Sequence, residues 1–399
     1  MKQEFQLVHL DHSAPLSPVD RFGPATGERV RAFHRSFPEY APTPLAELDQ
    51  LARRLGVKGF YVKDESFRFG LNAFKVLGGS WAVGRCIARR LGEDIRDLPC
   101  ERLTSPQVRE KLGPCTFVTA TDGNHGRGVA WTAARLGQRS VVYMPRGTAR
   151  ERLDNIRALG SDASITDLCY DDAVRLARRM EAEQGWTLVQ DTAWPGYEEI
   201  PGWIMEGYTT MAAEAVEQLG GVKPTHIFLQ AGVGSLAGAL TAYFAALWGE
   251  ARPVITIVEP DRADCIFRTA RANDGALRFV TEEMDTMMAG LACGEPCTTA
   301  WEILRDHADN FISMPDRCAA RGMRVLGNPL PGDPRVISGE SGAAGVGAAL
   351  ELLMEPGMEE ARQILGLNED SVVLCFSTEG DTDRENYRKI VWDGALPNP

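Results

Sequence analysis

The chain has 399 residues, 44% hydrophobic and 25% charged, as expected for a globular protein long enough to form two lobes. Its net charge of −12 argues against nucleic-acid binding and against attachment to an anionic membrane surface. No apolar run reaches transmembrane length and the first residues lack the apolar core of a signal peptide, so we expect a cytoplasmic protein without membrane or nucleic-acid partners.

A lysine in unusual surroundings stands out in the first quarter of the chain. In FGLNAFKVLGG, residues 69–79, Lys75 is the only charged residue among apolar and small neighbours. Loss of water around an ammonium group lowers its pKa, and the neutral amine can then form a Schiff base with an aldehyde cofactor. Alternatively, the aliphatic stem lies on an apolar surface while the charge reaches water. On the residues alone, this second interpretation is favoured.

After a polar stretch at 95–113, which we expect to be an irregular surface insertion, β-rich runs alternate with helical ones. The predicted strands are CTFVTAT, SVVYMP, WTLVQD, THIFLQAG, VITIVEP and SVVLCFSTEG. Continuous apolar runs are typical of strands covered on both faces, which favours parallel sheets flanked by helices. No Gly/Ser linker divides the chain, so the lobes should be interleaved. Thr148 and Glu151 have capping-box spacing and predict a helix that ends at Gly160.

The stretch TATDGNHGRG, residues 119–128, follows a predicted strand and opens a helix. Backbone amides at such a turn bind anions, here a substrate carboxylate. Asp122 is a candidate base or ammonium partner, Asn124 can both donate and accept hydrogen bonds, and His125 can titrate near neutral pH. An ordinary strand-to-helix turn also uses Gly, Asp and Asn, but the density of polar residues here favours a functional turn.

A second glycine-rich turn, QAGVGSLAG at residues 230–238, also connects a predicted strand to a helix. Gly232 and Gly234 let backbone amides approach a phosphate, and Ser235 adds a hydroxyl group. Three interpretations remain open. The turn is the phosphate site of a small cofactor, a dinucleotide fingerprint with Glu259 as the ribose carboxylate, or a place of close helix–strand packing.

The cysteines indicate a reducing compartment. Their number, nine, is odd, and they lack the paired spacing of a zinc site, so we expect free thiols and no bound metal. Whether the fold brings Cys265 and Cys293 together is left open.

Near the C-terminus, LCFSTEGDTD at residues 374–383 places hydroxyl groups at the end of a predicted strand, where ligands of open α/β sheets lie. Ser377 or Thr378 would face the edge of a cofactor ring, unless these hydroxyls only shape a turn.

Pyridoxal phosphate accounts for all four sites, because it needs a Schiff-base lysine, an anion site and partners for its ring oxygen and ring nitrogen. A dinucleotide accounts only for the glycine-rich turn at 230–238.

The chain resembles the fold-type II pyridoxal-phosphate enzymes, the tryptophan synthase β family that includes serine and threonine dehydratases. Within this family it is similar to the diaminopropionate ammonia-lyases from about residue 42 onward. The matching blocks are APTPLAELDQLA, VKDES, RFGLNAFK, TDGNHGRGVAW, VQDTAW, IVEPDRADCI, MAGLACGEP, RVLGNP, SGESGA and STEGDTD. The resemblance implies an α/β fold of two interleaved lobes, each an open, mostly parallel sheet flanked by helices. Residues 1–112 and 193–399 would form a large cofactor-binding domain, and residues 113–192 a small mobile domain.

The resemblance also implies roles for individual residues. The implied cofactor contacts are the Schiff-base lysine Lys75, the ring-oxygen partner Asn124, the phosphate loop Gly232, Val233, Gly234, Ser235 and Leu236, the further contact Glu340, and Ser377 at the ring nitrogen with Thr378 as the alternative. The implied substrate contacts are Thr121, Asp122, Gly123 and His125, and the catalytic residues are Lys75, Asp122 and Asp191. Ala73 and the thinned loop Gly-Val-Gly-Ser depart from the wider family but are typical of the lyases.

The implied activity is elimination of ammonia from D- or L-2,3-diaminopropionate, giving pyruvate and two molecules of ammonia, by a homodimer. Lys75 would take the Cα proton, and Asp122 and Asp191 would hold the β-ammonium, which a serine dehydratase does not need. The alternatives are a serine or threonine dehydratase, or another 3-substituted-alanine lyase, on the same fold. A nicotinamide-dependent oxidoreductase and a non-catalytic amino-acid sensor are more distant alternatives.

Overall fold

The structure is a computed structural model that describes residues 5–12, 16–121 and 123–397. Its strands are β1 (Gln6–His9), β2 (Leu45–Glu47), β3 (Gly59–Asp64), β4 (Thr116–Ala120), β5 (Arg139–Met144), β6 (Asp162–Ile165), β7 (Thr187–Leu188), β8 (His226–Gln230), β9 (Val254–Pro260), β10 (Asn310–Met314) and β11 (Val372–Ser377). Its α-helices are α1 (Pro24–Arg35), α2 (Asp49–Leu55), α3 (Val76–Leu91), α4 (Cys100–Leu103), α5 (Pro106–Leu112), α6 (Asn124–Arg135), α7 (Arg150–Arg157), α8 (Tyr170–Gln184), α9 (Glu199–Gln218), α10 (Ser235–Trp248), α11 (Cys265–Ala272), α12 (Thr298–His307), α13 (Asp316–Gly327), α14 (Ala344–Met354), α15 (Glu359–Leu365) and α16 (Arg384–Val391). The alternation of strands and helices confirms the predicted α/β class. Among the described residues, no helix combines the length and apolar character needed to cross a membrane.

Seven strands form the larger sheet, in the order β1-β10-β9-β8-β11-β3-β2. The strands from β10 to β3 run parallel, whereas β1 and β2 at the two edges are antiparallel to their neighbours. Val373 of β11 pairs with His226 of β8 on one side and with Phe60 of β3 on the other. The sheet is therefore mostly parallel, as predicted, and joins segments from both halves of the chain.

Four strands form the smaller sheet, in the order β6-β5-β4-β7, and all of their pairings are parallel. These strands come from residues 116–188. The chain thus leaves the large sheet after β3 and returns to it at β8, so the two sheets are interleaved in sequence. The domain boundaries after residues 112 and 192 stay predictions.

The central strands of the large sheet are covered on both faces. Ile227 and Leu229 of β8 pack into one hydrophobic core together with Phe376 of β11. Phe228 and Val373 point to the opposite face and pack into a second core. Because both faces of these strands are buried, the sequence shows continuous apolar runs instead of alternation with polar residues.

Glycines allow helices α3, α6 and α9 to pack closely. A Cβ atom at Gly128 of α6 would lie 2.8 Å from Val76 Cα, and one at Gly207 of α9 would lie 2.5 Å from Leu77 O. Both contacts are with the backbone at the start of α3, directly after Lys75. The close packing therefore fixes the position from which the lysine side chain extends.

Two local predictions are wrong. Residues 95–113 are not irregular, because they contain α4 and α5 and bury Leu98 and Leu103 at 0% and 2% exposure. The capping box does not form, since α7 begins at Arg150 and the Thr148 hydroxyl donates instead to Pro145 O at 2.8 Å. Burial outweighs the local sequence signal in the first case, and a competing local hydrogen bond does so in the second.

Candidate active site

A cavity of about 970 Å³ opens where strands of both sheets end. Segments that follow β8 and β11 line it from the large sheet, and segments that follow β4 and β5 line it from the small sheet. The predicted site residues in its wall are Lys75, Asn124, Asp191, Gly232, Val233, Gly234, Ser235, Leu236, Glu340 and Thr378. Thr121, Gly123, His125 and Ser377 do not line it, and Asp122 lies outside the described residues.

Lys75 directly precedes α3 and has the apolar setting expected from the sequence. Val76 is 1% exposed, while the lysine side chain itself is 18% exposed. Phe69 and Asn72 adopt left-handed φ angles of 50° and 58° in the turn that leads into the helix. The Lys75 Nζ donates a hydrogen bond of 2.5 Å to Asp191 Oδ2. The amine therefore reaches the cavity and engages a carboxylate there.

Asp191 is buried among hydrogen-bond donors. Burial alone would raise its pKa, but the charges of His125 and Lys75 and the hydrogen bond from Lys75 hold the pKa well below its ordinary value. The Tyr170 hydroxyl and the Gln190 Nε2 each donate to Asp191 Oδ1 at 3.3 Å. Asp191 is thus a carboxylate at neutral pH and can hold a cation.

His125 contacts Asp191 but not the cavity. It is 1% exposed, its Nδ1 lies 3.8 Å from Asp191 Oδ2, and its Nε2 lies 2.7 Å from Val189 O. His125 therefore lies behind Asp191, and the direct substrate contact expected from the resemblance stays a prediction.

The turn after β4 is organised by Thr121, which is 1% exposed. Its hydroxyl accepts hydrogen bonds from the backbone N–H of Gly123 at 2.9 Å and of Gly126 at 3.1 Å. Thr121 and Gly123 thus shape the turn from within. Asn124 follows as the first residue of α6, and its side chain lines the cavity.

The loop from Gly232 to Leu236 leads into the N-terminus of α10, a helix of 14 residues. Gly234 has a φ of 98°, and a Cβ at Gly232 would lie 3.1 Å from Gly290 O, so neither position readily accepts a side chain. The Ser235 hydroxyl donates to Asp191 O at 2.5 Å. Unpaired backbone N–H groups and the positive end of the helix dipole make this loop suited to a phosphate.

The end of β11 presents Thr378, not Ser377, to the cavity. The Ser377 hydroxyl is fully buried and donates to Ser338 Oγ at 2.8 Å. The Thr378 hydroxyl lines the cavity and accepts a hydrogen bond of 2.9 Å from Gln230 Nε2, which leaves its own hydrogen available for a ligand. The geometry therefore favours the alternative, Thr378, over Ser377 as the ligand contact.

Glu340 lines the cavity and accepts a hydrogen bond of 2.5 Å from Asn386 Nδ2. Burial, together with the nearby charge of Glu379, raises the pKa of Glu340 to about 7. Its carboxyl group can therefore hold or release a proton near neutral pH.

The polar residues in the cavity wall that sequence reasoning missed include Glu379, Tyr170 and Arg152. Glu379 lies within the block STEGDTD, and its position just beyond the end of a strand was a usable signal. Tyr170 and Arg152 lie on helices α8 and α7 without a recognisable motif, so only the fold identifies them.

Glu259 does not serve as a ribose carboxylate. It is 1% exposed, does not line the cavity, and caps α11 by accepting hydrogen bonds from Ile266 N at 3.0 Å and Phe267 N at 2.5 Å. A dinucleotide site would need this carboxylate free beside the glycine loop. The dinucleotide interpretation of the loop is therefore not supported.

No disulfide joins any of the nine cysteines, all of which lie among the described residues, and Cys265 and Cys293 do not pair. Cys293 lines the cavity, and a Cβ at Gly232 would lie 3.2 Å from its Sγ. Burial, together with the charges of Glu259 and Cys293, raises the pKa of the Cys265 thiol well above its ordinary value. Cys265 is therefore a protonated, unreactive thiol in this structure.

Together, these groups fit a cofactor that carries a phosphate and an aldehyde. The glycine loop leaves space that a single Cβ atom would fill and offers backbone donors to an anion. Lys75 supplies an amine in the same cavity, while Asn124 and Thr378 supply polar contacts for a ring. Pyridoxal phosphate has this combination of groups.

Comparisons with known proteins agree with this fit. The model of the family "Pyridoxal-phosphate dependent enzyme" matches residues 37–370. The diaminopropionate ammonia-lyase of Salmonella typhimurium is 53% identical over 372 residues, covering 92% of each chain. The crystal structure of the holo diaminopropionate ammonia-lyase from Escherichia coli superposes with a TM-score of 0.93 at 47% identity and covers 100% of both chains. The same enzyme in complex with an aminoacrylate-PLP azomethine reaction intermediate gives a TM-score of 0.90 at 47% identity, covering 99% of both chains.

Proposed function

Because the chain belongs to the pyridoxal-phosphate dependent enzymes and, within them, to the diaminopropionate ammonia-lyase family, we propose that it eliminates ammonia from 2,3-diaminopropionate. It is a carbon–nitrogen lyase that uses pyridoxal phosphate and a small amino-acid substrate. The observation that carries the choice of substrate is the meeting of Lys75 and Asp191 in one cavity, since an amino leaving group needs a carboxylate beside the base.

Bound pyridoxal phosphate supplies an electron sink for negative charge at the substrate Cα. Lys75 would hold its aldehyde, and the loop of Gly232, Val233, Gly234, Ser235 and Leu236 would hold its phosphate. Asn124 would donate to its ring oxygen, and Thr378 would bind its ring nitrogen in preference to Ser377. Glu340, which also lines the cavity, would complete the cofactor contacts.

The residues of the chain divide the proton transfers. Lys75 would take the Cα proton from one face of the substrate, and Asp122 would take it from the other face in the D-enantiomer. Asp191, which stays ionised, would hold the β-ammonium with Asp122, so that the leaving group departs as ammonia. The unsaturated product then hydrolyses to pyruvate and a second ammonia.

We propose that residues 113–192 form a small lobe that closes on the substrate and excludes water. The turn at Thr121 and Gly123, together with the Asp191–His125 contact, would move with this lobe. We also propose that the enzyme acts as a cytoplasmic homodimer.

The test is an assay of the purified protein with D- and L-2,3-diaminopropionate, L-serine and L-threonine, with ammonia and 2-keto acid measured together. We expect two molecules of ammonia per pyruvate from diaminopropionate and little product from the hydroxy amino acids. Turnover of serine or threonine with one ammonia per keto acid would instead identify a dehydratase on this fold. Absence of a visible cofactor band and of a borohydride-reducible adduct at Lys75 would exclude both the lyase and the dehydratase.

A further inference from the structure

Glu379 is a buried carboxylate in the cavity wall without a role in the proposed reaction. It is 2% exposed and follows β11 by two residues. Its Oε2 accepts hydrogen bonds from Asn124 Nδ2 at 2.5 Å and from Thr382 Oγ1 at 3.2 Å, and its Oε1 accepts one from Ser341 N at 3.1 Å. All three partners donate to the oxygens of the side chain.

Two glycines pack closely against Glu379, one against its side chain and one against its backbone. A Cβ at Gly339 would lie 3.1 Å from Glu379 Cγ, and one at Gly342 would lie 2.7 Å from Glu379 O. Both glycines belong to the block SGESGA. The three hydrogen bonds and the close approach of Gly339 thus hold the carboxylate in its direction toward Asn124.

The contact decides which way the Asn124 side-chain amide points. An amide has a donor end and an acceptor end of nearly equal size, so its orientation follows from its neighbours. A carboxylate only accepts hydrogen bonds, so the reverse orientation would place two oxygen atoms in contact. The nitrogen must therefore face Glu379, and its second N–H remains free to donate to a ligand.

We propose that Glu379 is a positioning residue that fixes the amide of Asn124 with its N–H directed at the cofactor's ring oxygen. The inference rests on the proposed contact between Asn124 and the cofactor. The hydrogen bond between Glu379 and Asn124 also joins the two sheets. It connects the segment after β11 in the large sheet to the first residue of α6 beside the small sheet. The ring-oxygen donor is thus oriented from the opposite sheet.

The test uses the cofactor-loaded enzyme and the variants Asn124→Ala, Glu379→Ala, Glu379→Gln and the double variant Asn124→Ala/Glu379→Ala. The readouts are the visible absorption band, the dissociation constant for pyridoxal phosphate and the melting temperature. Glu351→Gln is the matched control, because Glu351 is also 2% exposed but pairs with Arg317 away from the cavity.

We expect Glu379→Ala to change the visible band in the same way as Asn124→Ala and to weaken cofactor binding about tenfold. The double variant should bind the cofactor as tightly as Asn124→Ala alone, since both changes remove the same interaction. Glu379→Gln keeps the size of the side chain and one acceptor oxygen, so the band and the cofactor affinity should change less than in Glu379→Ala. This variant also keeps the test valid if Glu379→Ala does not fold. Glu351→Gln should lower the melting temperature without moving the band.

An unchanged band in both Glu379 variants, or additive effects in the double variant, would overturn the inference and leave Glu379 a purely structural residue. If Asn124→Ala itself leaves the band and the dissociation constant unchanged, the proposed cofactor contact of Asn124 is wrong, and the role of Glu379 with it. The single variants therefore separate the two failures.

Discussion

Single residues decide which elimination this cavity favours. A hydroxy amino acid needs one base at Cα, whereas diaminopropionate also brings a β-ammonium that must stay protonated until its bond to carbon breaks. Asp191 is the residue that we propose for this task, because the charges of His125 and Lys75 hold its pKa below the ordinary value despite its burial. Its second oxygen accepts from Tyr170 and Gln190, so the carboxylate is held in one orientation.

Asp122→Asn should reduce turnover of D-2,3-diaminopropionate at least tenfold more than turnover of the L-enantiomer. The reason is that Lys75 approaches one face of Cα and only Asp122 is proposed as a base on the other. The measurement is kcat/KM for both enantiomers. Asp191→Asn is the control and should impair both similarly, and equal losses in Asp122→Asn would reject the two-base mechanism.

Glu340 gives a prediction for stability against pH. Its pKa is about 4.5 in an ordinary setting and about 7 here, so between these values the folded protein binds more protons than the unfolded chain. Its contribution to stability is therefore complete below pH 4.5 and is lost as the pH rises through 7. Glu340→Gln has no carboxyl group to titrate at this position. Between pH 5 and pH 8, its free energy of unfolding should therefore rise by about 2 kcal/mol relative to that of the wild type.

Denaturant unfolding of the cofactor-free forms at pH 5, 6, 7 and 8 measures this difference. Parallel stability curves for the two proteins would show that Glu340 does not titrate in this range.

At the scale of elements, the sequence predicted the positions of strands more reliably than the side chains that face the cavity. Continuous apolar runs such as VITIVEP and SVVLCF located β9 and β11, because a strand buried on both faces has few other sequences available. The same runs could not tell whether Ser377 or Thr378 faces the cavity, since that depends on strand register and twist. The helices α4 and α5 were missed because their stability comes from burying Leu103 and Val108 and not from a strong local pattern.

The packing of α3 against α6 predicts the effect of a single methyl group. Gly128→Ala would bring a Cβ within 2.9 Å of Val76 N, so we expect a loss of about 1–3 kcal/mol in unfolding free energy and lower activity through displacement of Lys75. Gly79→Ala in α3 is the matched comparison, because its Cβ would lie 3.3 Å from Gly128 C and needs only a small shift. Urea unfolding and steady-state kinetics measure both, and equal effects would contradict the packing argument.

At the scale of the whole molecule, a buried ion network joins distant parts of the chain. It consists of Lys63, Glu65, Arg68 and Glu214, whose side chains are all 0% exposed. Glu214 Oε2 lies 2.8 Å from Lys63 Nζ and 2.7 Å from an Arg68 nitrogen. The network ties β3 and the turn before Lys75 to α9.

Glu214→Gln should destabilise the protein by about 3–5 kcal/mol, because two buried cations lose a counter-charge. Burial would raise the pKa of Glu214, but Arg68 and Lys63 hold it below its ordinary value, so its contribution is present above pH 4.5 and lost as the pH falls below it. Glu385→Gln is the control, since its pair with Lys389 is exposed and its loss should change the stability little. Chemical unfolding at pH 7 distinguishes them, and similar losses would mean that the network is not a source of stability.

The position of β11 in the large sheet has a consequence for biosynthesis. It is the last of the described strands to leave the ribosome, yet it lies in the middle of the sheet, between β8 and β3. The small sheet, made from one continuous stretch, can form during translation, whereas β3 and β8 must wait with open edges until synthesis is almost complete. A nascent chain stalled before residue 372 therefore exposes two sheet edges and lacks the Thr378–Glu379 wall, so we expect it to depend on chaperones and to be unable to retain a cofactor.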